Sequence, residues 1–257
     1  MIETTTLAAY LDELLDSPRI SDYPGAVNGL QLSNDGPIRK IAAAVDFSSR
    51  SVAAAIEADA NLLLVHHGMF WGGVKPITGT HFRRLRSLIQ NDIAVYSSHL
   101  PLDRHPTFGN NVLLSRELGL EPDEEFARFK TVPIGVRGHT SISTLELVER
   151  ARHFAAQHGG QVVVSGLSAD AVTKSWAMCT GGGASADTLE EAVATGVDTL
   201  IVGEGPHWTA VEADELGISI IYAGHYATET LGVRALAQHL AEQFSIDWVP
   251  VHAPTGL

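Results

Sequence analysis

One cysteine stands in 257 residues, and that scarcity removes several chemistries at once. Cys179 has no partner for an internal disulfide, and thiolate-rich zinc or iron–sulfur sites need more sulfur than the chain owns. Basic residues are also few: 17 Lys and Arg face 30 Asp and Glu, a formal −13 with histidine neutral. A partner that binds through its phosphate backbone would meet an unfavourable mean field, which disfavours nucleic acid. No window approaches the ~20 apolar residues of a membrane span, and MIETTTLAAYLDELL carries acids where a signal peptide has a basic stretch. The expectation is a soluble, cytoplasmic protein with no membrane partner. At 45% hydrophobic, it has material for one large domain or two of roughly 100–150 residues. What is plentiful is histidine, 12 in all. Imidazole is the commonest transition-metal ligand and a ready acid or base near neutral pH, so the spacing of these residues decides their use.

Apolar runs alternate with helical patterns. LAAYLDELL has helical periodicity and is broken by Pro18 and a long polar loop, SDYPGAVNGLQLSNDGP. IAAAVDF (41–47), NLLLV (61–65) and IAVYSS (93–98) read as buried strands, with SRSVAAAIEADA and RRLRSLIQND as the intervening helices. From about residue 175 the order recurs in SWAMCTGGG, SADTLEEAVATG, DTLIVGEG, WTAVEADELG and ISIIYAGH. Such alternation predicts a mostly parallel sheet. The halves can be laid over one another: NLLLVHHG (61–68) matches DTLIVGEG (198–205) without a gap, and further on VYSSHLPLD (95–103) matches IYAGHYATE (221–229). His66–His67 then face Gly203–Glu204, His99 faces His225, Asp103 faces Glu229, and Trp71 faces Trp208. The fold class expected is α/β, two similar α/β domains related by an internal repeat, with a metal site in the interdomain cleft. The domains are placed at 1–123, with 240–257 as a possible addition, and 124–239. Residues 120–174 offer one amphipathic helix, LVERARHFAAQHGG, and a short strand, QVVVSG; ALAQHLAEQF and the tail after it add a helix and a last strand.

Ligands of open α/β sheets gather beyond the carboxyl ends of the strands, and the polar clusters lie at such ends. His225 and Glu229, four apart, would share a helix face and chelate together. Adjacent histidines closing an extended strand point to opposite sides, which suits two neighbouring ions. His66, His67, Asp103, His225 and Glu229 form an N/O set without sulfur, suited to two divalent ions per chain, zinc, iron, manganese or nickel. In such a centre a bridging water loses a proton near neutral pH and becomes a nucleophile, so hydrolysis is the favoured reaction class. His99 is the candidate proton shuttle, with a hydrogen-bonded core role as its plain alternative. Asn28 and Trp71 are candidate substrate contacts; a turn role for Asn28 and core packing or a subunit contact for Trp71 weigh equally. Cys179 reads as packing, and the GGG at 181–183 as a strand-to-helix turn. His207 stays open beside Glu204, and the other histidines show no chelating pattern.

These motifs, VNGLQ (27–31), VHHGMFWGG (65–73), HLPLDRHPTFGNN (99–111), CTGGGAS (179–185), VGEGPHW (202–208) and AGHYATETLGVRAL (223–236), resemble in order those of the NGG-one-interacting-factor-three-like family. Its members carry the name GTP cyclohydrolase I type 2 homologue, and the length resembles the short bacterial form. The resemblance implies the same five ligands, with His67 and Asp103 serving one ion, His66 and His225 the other, and Glu229 bridging. It also implies a toroidal homo-hexamer. The stretch GEGPHW, which holds Glu204 and His207, is where the chain departs from the family pattern. The function expected is a metal-dependent hydrolase acting on a small phosphorylated or nucleotide-like substrate. Alternatives are a non-catalytic metal-binding or metallochaperone-like hexameric assembly and, third, GTP cyclohydrolase I activity.

Overall fold

The apolar runs at 41–47, 61–65 and 93–98 form the strands Lys40–Asp46, Leu62–His67 and Ala94–Ser97 in a computed structural model that describes residues 2–168 and 170–257. They pair in parallel at the centre of a five-stranded sheet, in the order Asp247–Pro250, Lys40–Asp46, Leu62–His67, Ala94–Ser97, Gly29–Leu32. Gly29–Leu32 closes one edge antiparallel to Ala94–Ser97. Full burial of Leu62–His67 fits the near-continuous apolar character of a central parallel strand. Helix Ser49–Glu57 starts in a capping box between Ser48 and Ser51, and sets Val52 and Ala55 against Ala42, Leu63 and Val65. Leu88, from helix Gly79–Gln90, enters the same cluster.

The second sheet has six strands, in the order Glu124–Phe129, Val132–Ser143, Val172–Cys179, Thr199–Val202, Ser219–Tyr222, Val163–Ser165. The three in the middle that run Val172–Cys179, Thr199–Val202 and Ser219–Tyr222 are parallel, and their neighbours on both sides are antiparallel. Alternation along the strand sorts side chains to two cores. Trp176 and Met178 join Leu147, Val148 and Phe154 on one face, while Ala177 and Cys179 join Leu189 and Val202 on the other. Helix Ala186–Thr195 begins in a Ser185–Thr188 capping box and ends at Gly196, whose φ of +69° supplies the left-handed cap.

This sheet is half antiparallel where a mostly parallel one is expected. The excess is the hairpin Glu124–Phe129 and Val132–Ser143, which sequence pattern does not announce. Pro133, Gly135 and Gly138 interrupt the β-branched character of Val132–Ser143, and all but two of its positions are exposed or partly so. Gly138 is required there, since a Cβ would strike the indole of Trp176. Gly29–Leu32 likewise emerges from the loop expected over SDYPGAVNGLQLSNDGP (21–37), as a short edge strand with a register shift between Leu30 and Leu32.

The chain divides into two compact units, one of residues up to Leu102 with Gly232–Ala253, the other Asp103–Leu231 with Pro254–Leu257. Among the described residues no helix is long and apolar enough to cross a membrane.

Candidate metal centre

In the first unit, His66 and His67 close the central strand and His99 follows its neighbour. All three are buried, and one ligating atom from each lies within 4.8 Å of the others. The two adjacent rings do not go to opposite sides as an ideal strand would send them. Their centroids are 4.8 Å apart, and that of His99 is 4.8 Å from His66. The cause is the strand end: each ring leans past it toward a different flanking strand. His66 Nδ1 lies 2.9 Å from the Ser98 carbonyl, on one side, and His67 Nδ1 2.9 Å from Asp46 Oδ1, on the other. Asp46 is placed by register, paired directly with His67.

A carbonyl or carboxylate oxygen only accepts, so Nδ1 of each ring carries the proton and Nε2 carries the lone pair in the neutral form. That is the second-shell arrangement of metal-bound histidine. His99 follows the same rule, with Nδ1 2.8 Å from Asp22 Oδ1. Asp22 is buried, which alone would raise its carboxyl. The hydrogen bond and charge of His99, then Asn28 Nδ2 at 2.9 Å and the Tyr23 N–H, outweigh burial and hold it below the usual value. Asn28 spends both ends of its amide here, its Oδ1 accepting from the His99 backbone N–H at 2.8 Å. Trp71, 40% exposed, lays its ring 4.4 Å from His99 and 4.6 Å from His67.

The second unit is richer in carboxylates. His225 opens the short helix His225–Thr228 and Glu229 caps it; their side chains meet, Nε2 to Oε2, at 3.2 Å. The other ring nitrogen, Nδ1, donates to Glu204 Oε1 at 2.9 Å. Burial opposes charge on His225, yet the hydrogen bonds and charges of Glu229 and then Glu204 prevail and raise it to about 9. Glu229 is 3% exposed and Asp103 8%, and Asn110 Nδ2 donates to Asp103 Oδ1 at 2.8 Å. Gly181, with φ +61°, presses its backbone onto this pair: a Cβ would overlap Glu229 Oε1 and lie 3.2 Å from His225 Nε2. The GGG turn is therefore also a wall of the donor group. A cavity of about 450 Å³ opens beside Glu204, His207 and Tyr222.

The donor set fits divalent cations in both units. Anchored imidazoles and buried carboxylates are N/O ligands with their second shell in place. Three supports escaped sequence inspection: Asp46, Asp22 and Gly181. Asp46 carried a signal, an acid closing an apolar strand, as His67 does. Asp22 sits in a polar loop where nothing in the pattern marks it.

Comparison with known proteins settles the kinship. A model of the Duf34/NIF3 (NGG1p interacting factor 3) family matches residues 2–254. The chain belongs to this family. A Deinococcus radiodurans protein named GTP cyclohydrolase 1 type 2 homolog is 41% identical over 252 residues, covering 98% of this chain and 93% of its own. Among solved structures, protein ybgI, described as of unknown function, superposes with a TM-score of 0.89 at 35% identity. A Thermus thermophilus protein does so with 0.84 at 36%; both alignments cover 100% of either chain. The α/β fold is thus that of the NIF3 superfamily, and buried His and Glu groups able to bind metal ions are part of it here. The word homolog in these names leaves the reaction open.

Proposed function

We propose that this NIF3-family chain is a dinuclear divalent-metal protein and a metal-dependent hydrolase of small phosphorylated or nucleotide-like substrates. His66, His67, Asp103, His225 and Glu229 would hold the ions, Glu229 bridging. The observation that carries this is the second shell: Nδ1 of His66, His67 and His225 each meets an oxygen acceptor at 2.9 Å, which turns an Nε2 donor toward a ligand. Bound ions would supply Lewis-acid polarisation of the attacked group and a lowered water pKa. The chain's own contribution would be to fix those donors, to hold a proton-accepting imidazole at His99 through Asp22, and to wall the site with Trp71. A homo-hexamer in the cytoplasm, implied by the family resemblance, belongs to the same proposal.

The test is metal content per chain by plasma mass spectrometry after reconstitution with zinc, manganese, iron or nickel, followed by a screen of phosphoesters and cyclic amides. Two ions and turnover of a phosphoester are expected. Fewer than one ion sinks the centre, and full loading without turnover leaves a metal-binding assembly in place of a hydrolase. Formate release from GTP tests the activity in its relatives' name directly. Cys179 argues against cyclohydrolase chemistry with a cysteine ligand, because its thiol is buried in the strand Val172–Cys179.

A further inference from the structure

Residues 60–91 contain no Asp or Glu, in a chain that carries 30. Four of the 17 Lys and Arg residues, Lys75, Arg83, Arg84 and Arg86, fall in that stretch, and among the described residues none of them forms an ion pair. In the first unit this acid-free segment lines a cavity of about 220 Å³ whose walls include Phe47, Gly68, Trp71, Lys75, His81 and Arg84. Arg84 is fixed there: Nη1 donates to the Phe47 carbonyl at 3.1 Å, and its guanidinium stacks 4.8 Å over the Phe47 ring. Its Nε is buried, and no acceptor among the described residues meets it. Lys75 folds back over the loop, its Nζ 2.6 Å from where a Cβ would stand on Gly72.

We propose that this cavity is an oxyanion subsite that receives a phosphoryl group. A buried guanidinium N–H without an acceptor is costly, and a phosphate offers several charged oxygens to a fixed guanidinium and a nearby ammonium. The volume is below the roughly 300–1,000 Å³ of a pocket that takes a whole ligand, so it suits one group of a larger molecule. The remainder has a direction. Trp71, which walls the cavity, also covers His67, and the Phe47 N–H donates to the His67 carbonyl at 2.8 Å. A phosphoryl group held here puts its ester beside the histidine donors, a clause that rests on the metal-centre proposal; binding of the anion itself does not. A net charge of −13 repels anions at long range, so a local positive cavity is what phosphate recognition by this chain requires.

The test is calorimetric titration of the full-length, metal-free protein with inorganic phosphate and with phenyl phosphate. Both are expected to bind, Lys75→Gln and Arg84→Lys each weakening them by about tenfold or more, as loss of one charge-assisted hydrogen bond does. Arg86→Gln, an exposed cation outside the cavity, is expected to leave affinity unchanged. Retained far-ultraviolet dichroism and melting temperature in Lys75→Gln separate lost binding from lost folding. Equal affinity in wild type and both cavity variants, or no phosphate binding at all, overturns the subsite. So does a change of assembly state in Lys75→Gln with phosphate affinity intact, which would assign the cations to a second copy. Phosphate binding with no metal uptake keeps the subsite and removes the metal centre; metal uptake with no response to Lys75→Gln does the reverse.

Discussion

The two units build their donor groups at the same places and fill them with different chemistry. Each sheet has parallel strands with an antiparallel strand beside the last of them, and each puts polar residues at the ends of two neighbouring parallel strands, Leu62–His67 and Ala94–Ser97 in one, Thr199–Val202 and Ser219–Tyr222 in the other. In the first unit those positions are His66, His67 and His99, three imidazoles steered by Asp46, Asp22 and a carbonyl. In the second they are Glu204, His225 and Glu229, one imidazole between two carboxylates. The first unit thus offers imidazole nitrogens and the second chiefly carboxylate oxygens, with the single imidazole of His225 between them. Divalent ions need both, the first for softness and geometry, the second for charge.

The sharpest way to break that comparison is to remove one donor from each side. Glu229→Ala takes away the proposed bridge and is expected to abolish both ions, while His66→Ala should leave about half the metal; mass spectrometry of reconstituted protein reads the difference. Equal losses would mean the two units do not divide the work. A step down in size are the orienting acids. Asp46→Asn and Glu204→Gln each leave the ligands in place but weaken their hold on Nδ1, and should cost about 10–100-fold in metal affinity. Competition with a chromophoric chelator measures this. Because Glu204 also supports charge on His225, Glu204→Gln should lower the imidazole from its raised value near 9, which nuclear magnetic resonance titration of the metal-free protein detects.

Glycine marks a further contrast. Gly181→Ala puts a methyl group onto Glu229 in a left-handed backbone conformation, an expected loss of about 1–2 kcal/mol from the backbone alone. Gly68→Ala in the first unit meets the amide of Gln31, held by the Ala26 and Val27 carbonyls and the Met69 N–H, but at a φ outside the left-handed region, so no backbone strain adds to the contact. Melting temperatures of the two metal-free variants should therefore differ, with Gly181→Ala the lower. Gly68→Ala melting as low as Gly181→Ala would show that Gln31 is as firmly held as Glu229.

Much of this was legible before any coordinates. Buried parallel strands announce themselves as VHH- or VGE-terminated apolar runs, and polar residues at their ends are conspicuous because the preceding residues are not. His225 and Glu229 stand at helical spacing, and their side chains meet. The illegible parts have physical causes. Val132–Ser143 mixes Gly, Pro and Arg with its β-branched residues because one face is exposed and the other must admit Trp176, so its period is blurred. The convergence of His66 and His67 depends on where the strand ends, which periodicity does not specify. Asp22 is 77 residues from the imidazole it orients, and no local pattern encodes such a contact.

An effect confined to alkaline pH concerns Cys179, in the second unit's core. Burial, with the nearby charges of Asp103 and Glu229, pushes it up to about 12 from an ordinary 9.0. A folded-state pKa above the unfolded one means the contribution is fully present below pH 9 and is lost as pH rises toward 12. In that window the unfolded chain ionises its thiol and the folded one does not. The metal-free protein should then lose about 1.4 kcal/mol per pH unit more than Cys179→Ala does, in denaturant melts between pH 9 and 11. Alkylation at pH 8 should be slow when folded and fast in denaturant, since the folded thiolate is scarce. Parallel stability curves for wild type and Cys179→Ala would show that water reaches the thiol, and that this face of the second sheet is less tightly closed than its packing implies.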